Sequence, residues 1–311
     1  MILVVGLSPA WQRTLVFEEI VPGKVNRTER VSETASGKGV NVARVASILG
    51  ADVKLLTVAG GERGRLLKAQ LRRHGLNTRI VPVTAETRIC QTLLSREATT
   101  ELVEEAERLT PAEVREVLRA FRLSIRKADL VVLTGTVPQG CADDFYARLI
   151  EESTRHGVRV LIDAQKAQLR NALKRQPFLV RINRDELAAA TGIQAASRKS
   201  VLSALGKLLR RGPHWAVISD GAKGIYVSET PGVRALTLTP PSVKTKNPIG
   251  SGDAMLAGIA VALVRGQPTL EAVRFGAACG AANAMTIEPG SVQMKDVRRL
   301  FSTLNRRIFI V

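Results

Sequence analysis

Leu130-Val-Val-Leu-Thr-Gly-Thr-Val-Pro-Gln-Gly140 decides the architecture. Leu130–Leu133 is continuously apolar, without the alternation of a half-exposed strand, and a Thr/Gly/Pro loop follows at once. A short Val/Leu run closed by turn residues is the pattern of a strand covered on both faces. The pattern recurs at Ile2–Val5, Val53–Val58, Val158–Ile162, Ala216–Ile218 and Ile225–Val227. Amphipathic helical segments lie between. Thr110-Pro-Ala-Glu113 is a capping box with Pro at the first helical position and opens a helix to about Lys127. Gly50 and Gly75 stop the two helices before them. A late helix begins at Gly252-Asp253 and ends at Arg265-Gly266, Pro268 opens another, and the last runs from about Met294 to Leu304. This alternation predicts an α/β fold with a mainly parallel sheet. Two stretches depart from it. Thr14 to Glu33 and Arg88 to Glu101 alternate over short spans and read as antiparallel strand pairs beside the main sheet. With no repeat, linker or low-complexity tract, the expectation is one domain over residues 1–311 with a small β appendage.

Composition narrows the function. The chain has 311 residues, 45% of them hydrophobic, enough for a sizeable core and unlike a disordered or disulfide-stapled protein. Its longest apolar run, Met255 to Val264, falls short of the ~20 residues a membrane span needs. Met1–Gly6 reads as a first strand and not as a signal peptide. Cys90, Cys141 and Cys279 lie far apart, which fits a reducing cytosol. His74, His156 and His214 show no metal-ligand spacing, which argues against a zinc site or a His-centred triad. The net charge is +18, which invites a nucleic-acid reading. The basic residues are dispersed, however. The pairs Arg72-Arg73, Arg210-Arg211, Arg298-Arg299 and Arg306-Arg307 fall late in helix-like segments or just past them, where cations suit the dipole. Aromatics, at 4%, are too few for a base-stacking platform. A site for anionic small molecules accounts for the charge as well.

Five motifs carry candidate chemistry. In Asn247-Pro-Ile-Gly-Ser-Gly-Asp253, the glycines let backbone N–H groups converge at a helix start, making an anion pocket. Asp253 repels a phosphate, so its useful role there is to take a proton from a hydroxyl; it could also simply cap the helix. The missing third glycine, with Met255 in its place, and the polar Lys244–Asn247 before it exclude a dinucleotide fingerprint. In Ser36-Gly-Lys-Gly-Val-Asn41, backbone can approach a ligand while Lys38 brings a cation and Asn41 a donor and an acceptor. Ser219-Asp-Gly-Ala-Lys-Gly224 separates two strand-like runs and could be a plain hairpin turn. In Asn183-Arg-Asp-Glu186, amide and carboxylate could hold a hydrated divalent ion or form a capping box. The fifth is the Thr134–Gly140 loop, at a strand end where α/β sheets bind ligands.

In order and content these motifs resemble the ribokinase-like (PfkB) carbohydrate kinases over nearly the whole chain, from Ser8-Pro-Ala10 to Asn283. Within the family they look most like 1-phosphofructokinase and tagatose-6-phosphate kinase. The resemblance implies a three-layer α/β/α sandwich with a small β-sheet lid, drawn here from about residues 12–34 and 86–103. It implies ATP as donor, Mg2+, a cytoplasmic enzyme and a homodimer formed through the lid. Asp253 matches the catalytic base, and Gly250, Ser251 and Gly252 the anion hole. Gly37, Lys38, Gly39 and Asn41 match the sugar-binding turn. Arg88 matches an arginine that grips the acceptor's phosphate, and Lys38 and Arg88 are the two cations such a phosphate would need. Ser219, Gly221 and Gly224 match the ATP-phosphate turn. Asn183 and Glu186 match the pair that holds magnesium through water, Arg181 stands where relatives carry lysine, and Asn283 matches a residue near the adenine pocket. Gln12 replaces an Asp that bonds sugar hydroxyls, and Asn247-Pro248 replaces Asp-Thr, whose carboxylate helps a monovalent cation. The expected activity is phosphorylation of a ketohexose phosphate, fructose 1-phosphate or tagatose 6-phosphate. The alternatives are an unphosphorylated sugar or nucleoside as acceptor, or a sugar-phosphate-binding relative without turnover.

Overall fold

The computed structural model describes residues 1–229, 235–304 and 309–310. Its strands in chain order are β1 (Ile2–Val5), β2 (Ala10–Val16), β3 (Arg30–Ser36), β4 (Val53–Ala59), β5 (Asn77–Pro82), β6 (Arg88–Leu94), β7 (Thr99–Val103), β8 (Leu130–Thr134), β9 (Arg159–Asp163), β10 (Leu179–Asn183), β11 (Trp215–Ser219), β12 (Ile225–Ser228), β13 (Leu236–Leu238) and β14 (Phe309–Ile310). The helices are α1 (Lys38–Ile48), α2 (Gly61–Arg73), α3 (Pro111–Ile125), α4 (Phe145–Arg155), α5 (Lys166–Leu173), α6 (Arg184–Thr191), α7 (Arg198–Leu209), α8 (Ser251–Val264), α9 (Thr269–Ala284) and α10 (Met294–Thr303).

The large sheet has the order β14-β13-β12-β11-β10-β9-β8-β1-β4-β5, with strands β5 to β11 of that row parallel and the rest antiparallel. Strand β1 shows why continuous apolar runs were needed. Ile2 and Val4 pack with α1, α8 and α9 on one face, while Leu3 and Val5 pack with α3, α4 and α7 on the other. Helix α8 is apolar almost all round, and Asp253 through Leu263 are buried, as suits a helix enclosed on every side. The expected capping box at Thr110 forms, with Glu113 returning a bond to the Thr110 N–H.

A second sheet, ordered β3-β2-β6-β7, holds the two departing stretches. Each is an antiparallel pair, as expected, and a parallel β2–β6 ladder from Ala10↔Arg88 to Val16↔Leu94 joins them. Arg72-Arg73 does end α2, and Arg210 caps α7. Arg298-Arg299 falls inside α10 and not at its end, a correction to the dipole reading. Arg306-Arg307 lies outside the described residues. No described helix is long and apolar enough to cross a membrane.

Candidate active site

The parallel strands end along one edge, where ligands bind in α/β sheets. Asp163, Asn183 and Ser219 are the last residues of β9, β10 and β11. The N-termini of α1 and α8 meet there. Asp163 is wholly buried; its Oδ1 accepts from Lys38 Nζ at 2.5 Å and its Oδ2 from Arg181 Nη1 at 2.8 Å. Arg181 Nη2 donates to Ser219 Oγ at 2.7 Å, and Lys38 Nζ lies 3.7 Å from Glu186 Oε1. A row of alternating charge, Glu186–Lys38–Asp163–Arg181, thus lines the edge. Burial would raise the Asp163 pKa, but Lys38 and Arg181 hold it below the ordinary carboxylate value. Burial would lower that of Lys38, but Asp163, Glu186 and Asp253 lift it above the ordinary lysine value.

Asp253 sits beside this row in the first turn of α8. It does not cap the helix: Gly250 is the N-cap residue, with no side-chain capping bond, and Asp253 Oδ2 accepts from Asn41 Nδ2 at 2.8 Å. The N–H groups of Gly252 and Asp253 find no partner among the described residues, as at other helix N-termini, and an anion could take them. A Cβ on Gly252 would lie 2.3–2.6 Å from the Arg181 guanidinium, so this cation packs directly over the turn and would have to move aside for any side chain there. Burial pushes the Asp253 carboxyl up to about 7; Lys38 opposes this, Asp163 adds to it, and the Asn41 bond and Arg181 oppose it further. A carboxyl poised near neutrality, against free N–H groups and two cations, can take a proton while a transferring anion is stabilised.

Residues 1–293 match the model of the pfkB family of carbohydrate kinases. The chain belongs to that family. Among solved structures, phosphofructokinase-2 from Escherichia coli in complex with substrates and products gives a TM-score of 0.89 at 24% identity, covering 98% of this chain and 99% of that one. A Thermotoga maritima protein described as a possible 1-phosphofructokinase gives 0.88 at 22%, covering 100% and 98%. Arabidopsis thaliana ribokinase with ribose and ATP gives 0.76 at 20%, covering 96% and 98%. At these identities the likeness concerns the fold.

The other expected site residues of this pfkB kinase fall as follows. Lys38 is bound by Asp163, and Arg88 donates to the carbonyls of Ser8 (3.0 Å) and Glu104 (2.9 Å). Arg88 Nε is buried without a partner among the described residues. Gly37 is the N-cap of α1. Gly39 has a packing reason as well as a ligand one: a Cβ on it would fall 2.6 Å from Gly6 Cα, where α1 crosses the end of β1. Gln12 is 3% exposed, and its Nε2 donates to Thr92 Oγ1 at 2.9 Å within the small sheet. Asn183 and Glu186 do form the reciprocal capping box, and Glu186 Oε1 also accepts from Gln165 Nε2. Ser219 leads into the Gly221–Lys223 turn and Gly224, and β11 and β12 form the hairpin expected there. Asn283 is fully committed. Its Nδ2 donates to Ile249 O (2.8 Å) and Ser251 Oγ (3.2 Å), and its Oδ1 accepts from the N–H groups of Gly290 (2.8 Å) and Ser291 (3.2 Å), so it clasps the anion turn from behind. Asn247 is likewise satisfied, donating to Ile287 O at 2.7 Å and accepting from the Ile249 N–H at 3.0 Å. Asp163 is the residue the sequence reading missed. Its signal was an acid placed directly at the C-terminal end of a buried strand, after Val160-Leu-Ile162.

Proposed function

We propose that the protein is an ATP-dependent kinase that phosphorylates a hydroxymethyl group of a ketohexose phosphate, with fructose 1-phosphate and tagatose 6-phosphate the first acceptors to test. The observation that carries this reading is the buried Asp253, with its carboxyl pushed up to about 7, beside the unpartnered N–H groups of the α8 N-terminus. The acceptor hydroxyl gives its proton to Asp253 as its oxygen bonds to phosphorus. The charge spread over the phosphoryl oxygens meets the N–H groups of Gly252 and Asp253 and the Arg181 and Lys38 cations. Ser219, Gly221 and Gly224 receive the donor's phosphates. The small sheet acts as a lid that keeps water from the phosphoryl group. Gln12 lies on the lid's buried side and Arg88 at its base, so both belong to the acceptor end. Strand β7 is exposed along its whole length, including Leu102 and Val103, which suits pairing of two copies through the lid. The free cysteines suit a cytoplasmic enzyme.

The residues present fit a hydrated magnesium ion and not a protein cage. Among the described residues no three His, Cys, Asp or Glu side chains converge as ligands. Both Glu186 oxygens already accept hydrogen bonds, which leaves contact through water. Asn183 and Glu186 would hold the ion in this way, and it would neutralise charge on the donor's β- and γ-phosphates. Glu186→Gln is therefore expected to raise the magnesium concentration for half-maximal rate with little change in acceptor KM. Superimposable magnesium titrations of variant and parent would reduce Glu186 to its capping role.

The acceptor is tested with Arg88. Losing charged hydrogen bonds costs about 1.5–3 kcal/mol each, or roughly ten- to hundred-fold in kcat/KM. Arg88→Ala should weaken sugar phosphates by that factor and leave free fructose almost unchanged. Fructose 1-phosphate, tagatose 6-phosphate and fructose 6-phosphate are to be compared with free fructose under ATP and magnesium. If free fructose is the parent's better substrate, or the variant depresses all acceptors equally, the sugar-phosphate reading is wrong.

A further inference from the structure

Asn41 was expected among the sugar-contacting residues, yet both ends of its amide are engaged inside the protein. Its Nδ2 donates to Asp253 Oδ2 at 2.8 Å, and its Oδ1 accepts from Ser36 Oγ at 3.0 Å. Asn41 is 4% exposed and Ser36 2%. The carboxylate fixes which way the amide points, because a flipped amide would set a carbonyl oxygen against it, and the Ser36 hydroxyl, able to donate or accept, then braces the amide by donating to Oδ1. Behind Asn41 lies a wedge, the turn Glu288-Pro-Gly-Ser291. A Cβ on Gly290 would fall 2.6–2.7 Å from three Asn41 carbons, and one on Gly250 would fall 2.6 Å from Gly290 N. The turn thus touches both the asparagine that holds Asp253 and the turn that starts α8. It is itself tied from two sides. Asn283 Oδ1 takes the Gly290 and Ser291 N–H groups, and Arg44, one turn beyond Asn41 on α1, donates to Pro289 O at 3.0 Å.

We infer that Asn41 is a positioning residue for Asp253, braced by Ser36 and wedged by the Glu288–Ser291 turn, and that it occupies Oδ2 so that Oδ1 is the oxygen that takes the proton. Oδ1 accepts no hydrogen bond from the described residues. The inference rests on Asp253 as the base. The other charged groups that act on this carboxyl are Lys38 from α1, Asp163 from β9 and Arg181 from β10, and none of them is altered by the test below.

An amide that donates to a carboxylate favours its ionised form. Removing it by Asn41→Leu should shift the Asp253 titration upward by roughly one pH unit, the scale of one charge-assisted bond. Ser36→Ala, which removes the brace and loosens the amide's hold on Oδ2, should shift it less in the same direction. The readout is the side-chain carboxyl resonance in protein labelled with 13C-aspartate, assigned by its loss in Asp253→Asn. This needs no turnover, so it stands apart from the kinase reading, which fails if the parent phosphorylates none of the acceptors above. In the kinetic arm, the acid limb of kcat should move with the resonance and acceptor KM should stay within about twofold. The inference is overturned if both variants titrate like the parent, or if acceptor KM rises while the acid limb stays in place, the result for a sugar ligand. If Asn41→Leu does not fold, Ser36→Ala decides the matter alone.

Discussion

Asp253→Asn should lower kcat by at least ~10²-fold, the scale of losing a general base. The substitution keeps the size of the side chain and its contact with Asn41, and removes only the proton acceptor. In the parent, kcat should fall as pH drops through about 7, because the carboxyl must be ionised to take the proton. Donor affinity should hold or improve, since a negative charge has left the phosphate end. Stability should move the opposite way to activity. The folded pKa lies above the ordinary 3.8, so the folded chain binds this proton more tightly than the unfolded one. That contribution is complete below 3.8 and is lost as pH rises through about 7. Above pH 7 the variant escapes the cost of an ionised buried carboxyl, up to about 4 kcal/mol, and should unfold at higher urea than the parent. A variant with near-parental kcat would remove Asp253 from the chemistry.

The second large effect belongs to Asp163. Asp163→Ala strips the shared carboxylate from Lys38 and Arg181 and leaves two cations facing a buried gap. Removing one partner of a buried ion pair costs about 3–5 kcal/mol. Part of this site is open to solvent through Lys38, so the lower end of that range is expected. Urea unfolding should show the lowered midpoint. Turnover should fall by about ten-fold or more, because both cations are then free to leave the phosphoryl path. Asp163→Asn should fall between parent and Asp163→Ala, since it keeps the hydrogen-bonding shape without the charge. An unfolding curve and a kcat that match the parent would show the charge row to be dispensable.

The sheet was legible because each buried strand is a short apolar run with a turn signal behind it, as at Leu130–Leu133. The helix starts at Thr110 and Asn183 were legible because capping boxes are local. Asp253 and its glycines were legible because anion chemistry needs them in consecutive positions. Asp163 was legible only as an acid at a strand end, since its partners Lys38 and Arg181 stand 125 and 18 positions away and no spacing ties it to them. The same holds for the commitment of Asn283 to the turn at Gly290, and for the contact of Gly39 with Gly6. The parallel joining of β2 to β6 was hidden as well, because alternation shows a strand's faces but not its neighbour.

The hydrogen bond between Asn41 and Asp253 spans 212 positions of the chain. Neither end can find the other until the N-terminal β1–α1 unit and the late α8–α9 pair have docked on the same face of the sheet. A nascent chain that has delivered everything up to Lys246 already carries all seven parallel strands of the large sheet and the whole small sheet, yet it lacks Asp253. On the proposed function, the base is thus the last part of the active site to be synthesised, and its bond to Asn41 closes a loop over most of the chain's length. On the proposed function, a chain cut before α8 would hold an acceptor without the carboxylate that takes its proton.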